Sequence, residues 1–291
     1  MRSFLFVPAD SERKLAKGAE SGADAIILDL EDSVADDRKA GARETALAYL
    51  QQHAAETKRP RLVVRVNALD TGLTDADLDG VVPGRPDMIL LPKAEGGPAV
   101  THLDAKLTAR EAVHGLPEGS IKILALATET AASLFVCGTY RNSSPRLAGI
   151  TWGAEDLSAE LGAETNRDEH GRFTSPYWLA RNLSLAAASA ARVQAIDTVY
   201  ADFRNMDGLR AEAIEARRDG FTAKMAIHPA QVPIINEVFT PAADEIAKAQ
   251  AVVAAFAANP SAGVVAIGGV MYDRPHLTRA ERLLARVKGD T

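Results

Sequence analysis

The sequence predicts an α/β protein, a (β/α)8 (TIM) barrel with a C-terminal helical extension. Three observations carry the prediction. Short apolar runs alternate with alanine-rich stretches of helical period, the pattern of parallel strands joined by right-handed crossovers. Eight such runs precede residue 230, the number that closes a barrel. The polar residues that stand out follow the C-terminal ends of those runs, where barrels of this kind carry their active sites. An open doubly wound sheet is the alternative, but no GxGxxG follows the first strand, and GxSxG is absent too.

In order, Ser3 to Pro8 reads as the first strand, and Asp10-Ser11-Glu12 opens a helix carrying Arg13, Lys14 and Lys17. Ala25 to Leu30 is the second strand, running into Glu31 and Asp32, with a helix from Asp36 to about Gln52. Arg61 to Val66 is the third, with Arg65 and Asn67 at its end, and Met88 to Leu91 the fourth, closed by Pro92-Lys93. The fifth and sixth are Ile121 to Thr128 and Leu147 to Trp152, each a short apolar run of the kind buried on both faces. Gln194 to Thr198 is the seventh and Lys224 to Ile227 the eighth, with helices over Tyr177 to Arg192 and Leu209 to Arg218. This assigns residues 1–230 to the barrel and its active site. Residues 231–291 then form an extension with helices over Gln231 to Phe239, Pro241 to Asn259 and Thr278 to Val287. The run Val264 to Gly269 has no ninth place in a closed barrel. The extension is expected to act as a lid over a barrel mouth and as a subunit interface.

The chain has 291 residues, 47% hydrophobic and 25% charged, enough apolar matter for a sizeable core. A net charge of −6 argues against broad nucleic-acid binding, which needs Lys and Arg to neutralise phosphates. The single cysteine, Cys137, excludes an internal disulfide framework and reads as a buried packing residue in a reducing cytoplasm. Met1 leads directly into SFLFVP without the basic and apolar regions of a signal peptide, and no run is long and apolar enough to span a membrane.

The chemistry centres on Ile121 to Leu161. Its two strands end on Glu129 and on Gly153-Ala154-Glu155-Asp156, with no nearby Lys or Arg in either run to neutralise them. On neighbouring parallel strands, Glu129 and Asp156 converge, and a hard divalent cation such as Mg²⁺ is the natural partner of two carboxylates. The competing reading makes both residues caps of the helices that follow. Arg65 presents a rigid fork of donors suited to a carboxylate or a developing enolate oxygen, or else it pairs with Asp29 or Glu31. Lys93 supplies positive charge to the pocket or pairs with Glu31 or Asp32. Arg13, Lys14 and Lys17 are either a solvated face or a phosphate grip near the mouth. His228, before Pro229, reads as a packed or capping residue rather than a base. Asp273, between Met271-Tyr272 and Arg274-Pro275-His276, is either the N-cap of the last helix or a carboxylate delivered to a closed site as general acid or base.

All of these residues except Arg13, Lys14 and Lys17 lie in segments that resemble the citrate lyase beta-subunit-like branch of the HpcH/HpaI aldolase superfamily, which includes malyl-CoA and citramalyl-CoA lyases. The segments are RSFLFVPAD, GADAIILDLEDSV, VVRVNALDT, MILLPKAE, LALATETA, GITWGAEDLSAELG, AKMAIHPAQV and GGVMYDRPHL, in order over nearly the whole chain. The resemblance implies a (β/α)8 barrel with Mg²⁺, or Mn²⁺, held by Glu129 and Asp156. It also implies Arg65 on the keto-acid or thioester oxygens, and Asp29, Glu31, Asp32 and Lys93 behind them. Lys14 and Lys17 would lie on the CoA phosphates, and Asp273 would be the acid/base supplied by a neighbouring subunit, which requires a homo-oligomer, a trimer or hexamer. The implied reaction cleaves a 3-hydroxyacyl-CoA such as malyl-CoA or citramalyl-CoA to acetyl-CoA and glyoxylate or pyruvate. Hydrolysis of malyl-CoA, or citryl-ACP cleavage within a citrate lyase complex, are the alternatives. Ala9 after Pro8 departs from the family's commoner Pro-Gly and leaves the first phosphate contacts open.

Overall fold

The computed structural model describes residues 1–289, without the side chains of the last two. It divides into two compact units, Met1–Phe239 and Thr240–Thr291.

The first unit is a closed barrel of eight parallel strands: β1 (Ser3–Pro8), β2 (Ala25–Asp29), β3 (Arg61–Arg65), β4 (Met88–Leu91), β5 (Lys122–Ala127), β6 (Leu147–Trp152), β7 (Gln194–Asp197) and β8 (Ala223–Ala226). Each strand pairs with its sequence neighbour, and β8 returns to β1 in the register Ser3↔Lys224. Strand side chains alternate between two apolar environments. Phe4, Ile27, Val63, Leu90, Leu124, Leu126, Ile196 and Met225 fill the barrel, whereas Leu5, Leu28, Val64, Ile89, Ile123 and Ile150 pack under the helices. Burial on both faces explains why the strands read as continuous apolar runs rather than as alternating ones. Truncating one such side chain, Leu28 to Ala for example, costs about 2–5 kcal/mol.

The expected strand bounds differ from the observed ones by a residue or two at their ends. Helix Val232–Phe239 packs on β1 and β8, with Asn236 accepting a 2.7 Å hydrogen bond from the Ser3 hydroxyl. The boundary drawn at residue 230 therefore moves to 239, because this apolar helix completes the cover of the closing strands.

The second unit has its own core, built from Ala249, Val252 and Phe256 of helix Ala243–Ala258 with Val265, Tyr272 and Ala280. The run without a ninth barrel place forms an antiparallel hairpin, β9 (Val264–Ile267) with β10 (Val270–Asp273). Its two-residue turn places Gly268 and Gly269 at φ 58° and 81°, a left-handed geometry that favours glycine. Helix Arg274–Gly289 follows. Among the described residues no helix is long and apolar enough to cross a membrane.

Candidate active site

Five strand ends, β2 to β6, deliver one group of charges to the C-terminal mouth. From β3, Arg65 makes a bidentate ion pair with Asp29 at the end of β2, Nε and Nη2 each donating at 2.7 Å. Its Nη1 lies 2.9 Å from Glu31 Oε2, without the alignment of a hydrogen bond, and 3.5 Å from Asp32. Burial opposes ionisation of Asp29, but the hydrogen bonds and charge of Arg65 outweigh it and hold that carboxyl below its usual range. Glu31 moves the other way: burial, helped by Asp32, raises its pKa against Arg65 and Lys93. The ion-pair reading of Arg65 is thus realised, and Nη1 is the donor left with an unaligned contact to Glu31 and a long hydrogen bond to Asp32. Phe6 supports the guanidinium from the barrel interior, 4.9 Å away.

From β4, Lys93 sits in a left-handed conformation at φ 47°. Its main-chain N–H donates to Glu129 Oε2 at 2.6 Å, and its ammonium donates to Glu31 Oε1 at 2.7 Å. The same ammonium lies 3.3 Å from Asp156 Oδ1 and 3.9 Å from Asp32 Oδ1. Burial works against the lysine charge, yet the surrounding carboxylates outweigh it and raise the pKa. A basic group does stand beside the carboxylate pair, as the reading of Lys93 as a source of positive charge allowed. The basic residue comes from neither carboxylate's own run but from β4, the spatial neighbour of β5. Pairing with Glu31 and Asp32 was legible from the sequence, whereas the contact with Asp156 was not. The position of Lys93 at a strand end, just as Glu129 follows β5, was the available signal.

Glu129 reaches the same place because the strand alternation breaks. Leu124 and Leu126 point inward and Ala125 and Ala127 outward, but Thr128 adopts φ 66° and Glu129 comes to lie beside Gly153. A Cβ on Gly153 would stand 2.8 Å from Glu129 Cγ and 3.2 Å from Leu126 Cδ2, so only glycine leaves room for the carboxylate. Glu129 does not cap the next helix. Thr130 does, accepting from the Ser133 N–H at 3.1 Å, and the helix Glu155–Leu161 begins at Ala154 without a side-chain cap. Glu129 is 4% exposed, and burial, reinforced by the charge of Asp156, pushes its pKa up to about 8. The two carboxylates are near enough to repel, and Asp156 remains a third exposed.

A hydrogen-bonded group behind β6 to β8 anchors the Asp156 loop. Trp152, the last residue of β6, donates from Nε1 to Asp197 at 2.8 Å, and the buried Lys224 bridges Asp197 at 2.6 Å and Glu212 at 2.9 Å. This network went unseen in the sequence, since its members lie on three strands and a helix.

Lys14 and Lys17 lie exposed on helix Glu12–Ala19, three residues apart and hence on one face; among the described residues neither has an ion-pair partner. His228 caps the turn Pro229–Gln231, accepting from Ala230 N at 3.1 Å, and stacks on Phe203, as its capping reading expected. Cys137 is buried, and its thiol donates to the Ser133 carbonyl. Asp273 ends β10 in the second unit, where it accepts a 3.4 Å bond from the His276 N–H and lies 2.5 Å from that imidazole's Nδ1. The capping contact is therefore present. The carboxylate is also half exposed, and His276 holds its pKa below the usual range.

Two carboxylates with no thiolate or imidazole among them suit a hard, oxygen-preferring divalent cation, and the repulsion that raises Glu129 is what such a charge would relieve. Among the described residues no cluster of three or more His, Cys, Asp or Glu is arranged to hold a metal, so the pair would leave most coordination positions to other oxygens.

A family model described as HpcH/HpaI aldolase/citrate lyase matches residues 2–229, and one described as C-C bond lyase of the TIM-barrel fold matches residues 173–289. The (3S)-malyl-CoA thioesterase of Cereibacter sphaeroides (strain ATCC 17025 / ATH 2.4.3) is 35% identical over 289 residues, covering 99% of this chain and 94% of the relative. The mitochondrial citramalyl-CoA lyase of Rattus norvegicus is 33% identical over 295 residues, covering 97% and 85%. The crystal structure of CitE from Mycobacterium tuberculosis in complex with magnesium, acetoacetate and coenzyme A superposes with a TM-score of 0.75 at 33% identity, covering 98% and 97% of the two chains. With this barrel, these charges at its mouth and matches running nearly end to end, the chain belongs to the HpcH/HpaI aldolase/citrate lyase family and is an enzyme of the carbon–carbon lyase type.

Proposed function

We propose that the protein is an Mg²⁺-dependent lyase that cleaves a 3-hydroxyacyl-CoA such as citramalyl-CoA or malyl-CoA into acetyl-CoA and pyruvate or glyoxylate. The observation that carries this reading is Glu129: a buried carboxylate at the barrel mouth that caps no helix, its pKa driven up by burial and by Asp156. Glu129 and Asp156 would hold the cation, which when bound polarises the substrate's hydroxyl and carboxylate oxygens as a Lewis acid.

The remaining work falls to the chain's own side chains. As the carbon–carbon bond breaks, the hydroxyl gives up its proton to the Asp273 carboxylate, its carbon becomes the keto carbon of the departing acid, and the bonding pair moves into the thioester as an enolate. Arg65 Nη1, poorly satisfied by Glu31 and Asp32, is the donor suited to that enolate oxygen, while Asp29 holds the guanidinium plane. Asp273 then gives a proton to the enolate carbon, and in the condensing direction removes it from the acetyl methyl. Lys14 and Lys17, without ion-pair partners among the described residues, offer a basic face for the CoA phosphates. Asp273 would serve the barrel of a second copy in a trimer or hexamer; Val264, Val270 and Met271 leave an apolar, exposed surface on the hairpin that carries it, which supports that arrangement.

A panel of free CoA thioesters, incubated with and without Mg²⁺ and scored for keto acid and free thiol, tests the reading. Keto acid without release of free CoA supports lyase chemistry. Free thiol with malate and no glyoxylate would instead favour the thioesterase reading, which the 35% identical malyl-CoA thioesterase supports. Activity only on an acyl-carrier-protein thioester would mark a citrate lyase beta subunit.

A further inference from the structure

Lys93 is the residue that touches both halves of the candidate cation site. Its main chain fixes Glu129, and its ammonium is, among the described residues, the only basic side chain paired with Asp156. The two side-chain contacts are unequal, with Glu31 at 2.7 Å and Asp156 at 3.3 Å, Asp32 standing farther off at 3.9 Å. Arg65 is committed bidentately to Asp29, so it cannot take over the charge of Asp156.

We propose that Lys93 is a built-in counter-cation: without a divalent ion its ammonium is shared between Glu31 and Asp156, and when the ion binds it withdraws onto Glu31. It thereby sets the affinity of the site downward while its main chain keeps Glu129 in place. The proposal rests on the reading that Glu129 and Asp156 take the cation. The longer Asp156 contact is the one released, and the shorter Glu31 contact keeps the ammonium paired. Two cations competing for one carboxylate repel by well over a tenfold effect even in a dielectric of about 20. Lys93 is accordingly a positioning residue with an opposing charge, and a purely structural lysine would act in the reverse direction.

Calorimetric titration of the full chain with MgCl₂, without substrate and at fixed pH and ionic strength, separates the two. Lys93→Met removes the charge and keeps the aliphatic stem, and should tighten Mg²⁺ binding about tenfold or more. Lys93→Gln, which retains a donor to Glu31, should tighten it as well and provides the measurement if the methionine variant does not fold. Mg²⁺ binding equal to or weaker than wild type in these neutral variants overturns the proposal. Glu129→Gln, alone and combined with Lys93→Met, should abolish binding in both backgrounds. If it does not, the cation reading itself fails, a result distinct from failure of the Lys93 inference.

Discussion

Glu129→Gln should make the cation-free protein more stable than wild type above neutral pH, and Mg²⁺ should shrink that advantage by stabilising wild type alone. The carboxyl's pKa goes from the usual 4.5 to about 8, chiefly through burial and then through Asp156. The folded state therefore holds this proton more tightly than the unfolded chain does. The resulting stabilisation is fully present below about pH 4.5 and is lost progressively as pH rises through about 8. The gap between the two values corresponds to about 5 kcal/mol across that window. Glutamine cannot ionise, and its amide oxygen can still accept from the Lys93 N–H, so the variant lacks this slope. Urea unfolding in EDTA from about pH 5 to 8.5 reads the difference. Both tryptophans, Trp152 and Trp178, lie in the first unit, so their fluorescence follows the barrel rather than the second unit. The two proteins should start close together, and the variant should gain several kcal/mol over wild type by about pH 8. Adding Mg²⁺ at a hundred times its Kd should then restore about 2.7 kcal/mol to wild type and nothing to the variant, closing more than half of the gap between them. Parallel pH curves in EDTA would refute the assignment of Glu129 as a repelled, buried carboxylate.

Three further outcomes are expected. Asp273→Asn should keep Mg²⁺ and CoA-ester binding but lose about a hundredfold or more in kcat; turnover at the wild-type rate would remove Asp273 from the mechanism. Gly153→Ala forces a Cβ to 2.8 Å from Glu129 Cγ, so calorimetry should show Mg²⁺ affinity falling about tenfold or more, and unchanged affinity would mean that Glu129 is not a ligand. Replacing Lys14 and Lys17 together by Glu should raise KM for the CoA thioester, more so at low salt, without altering Mg²⁺ affinity; a KM independent of both changes would return that helix face to solvent.

What the sequence determined by itself was the frame and the location of its chemistry. Eight apolar runs at barrel spacing, each ending in a polar residue, are local patterns, because a strand buried on both faces must be apolar throughout and can turn polar only where it emerges. Glu129, Asp156, Arg65 and Lys93 were therefore legible as residues of the mouth, and the helices of the second unit as a separate run. The partners of those residues were not legible, because they depend on which side chains share a volume. Lys93 reaches Asp156 across β5, and the left-handed Thr128 turns Glu129 against an alternation that strand periodicity would have continued. Gly153 matters only because Glu129 stands above it. Trp152, Asp197, Lys224 and Glu212 likewise meet behind the barrel wall from distant parts of the chain. Periodicity records the direction in which each residue leaves its own element, but contact across elements, and with it the balance of charge around Glu129, is set only when the barrel closes.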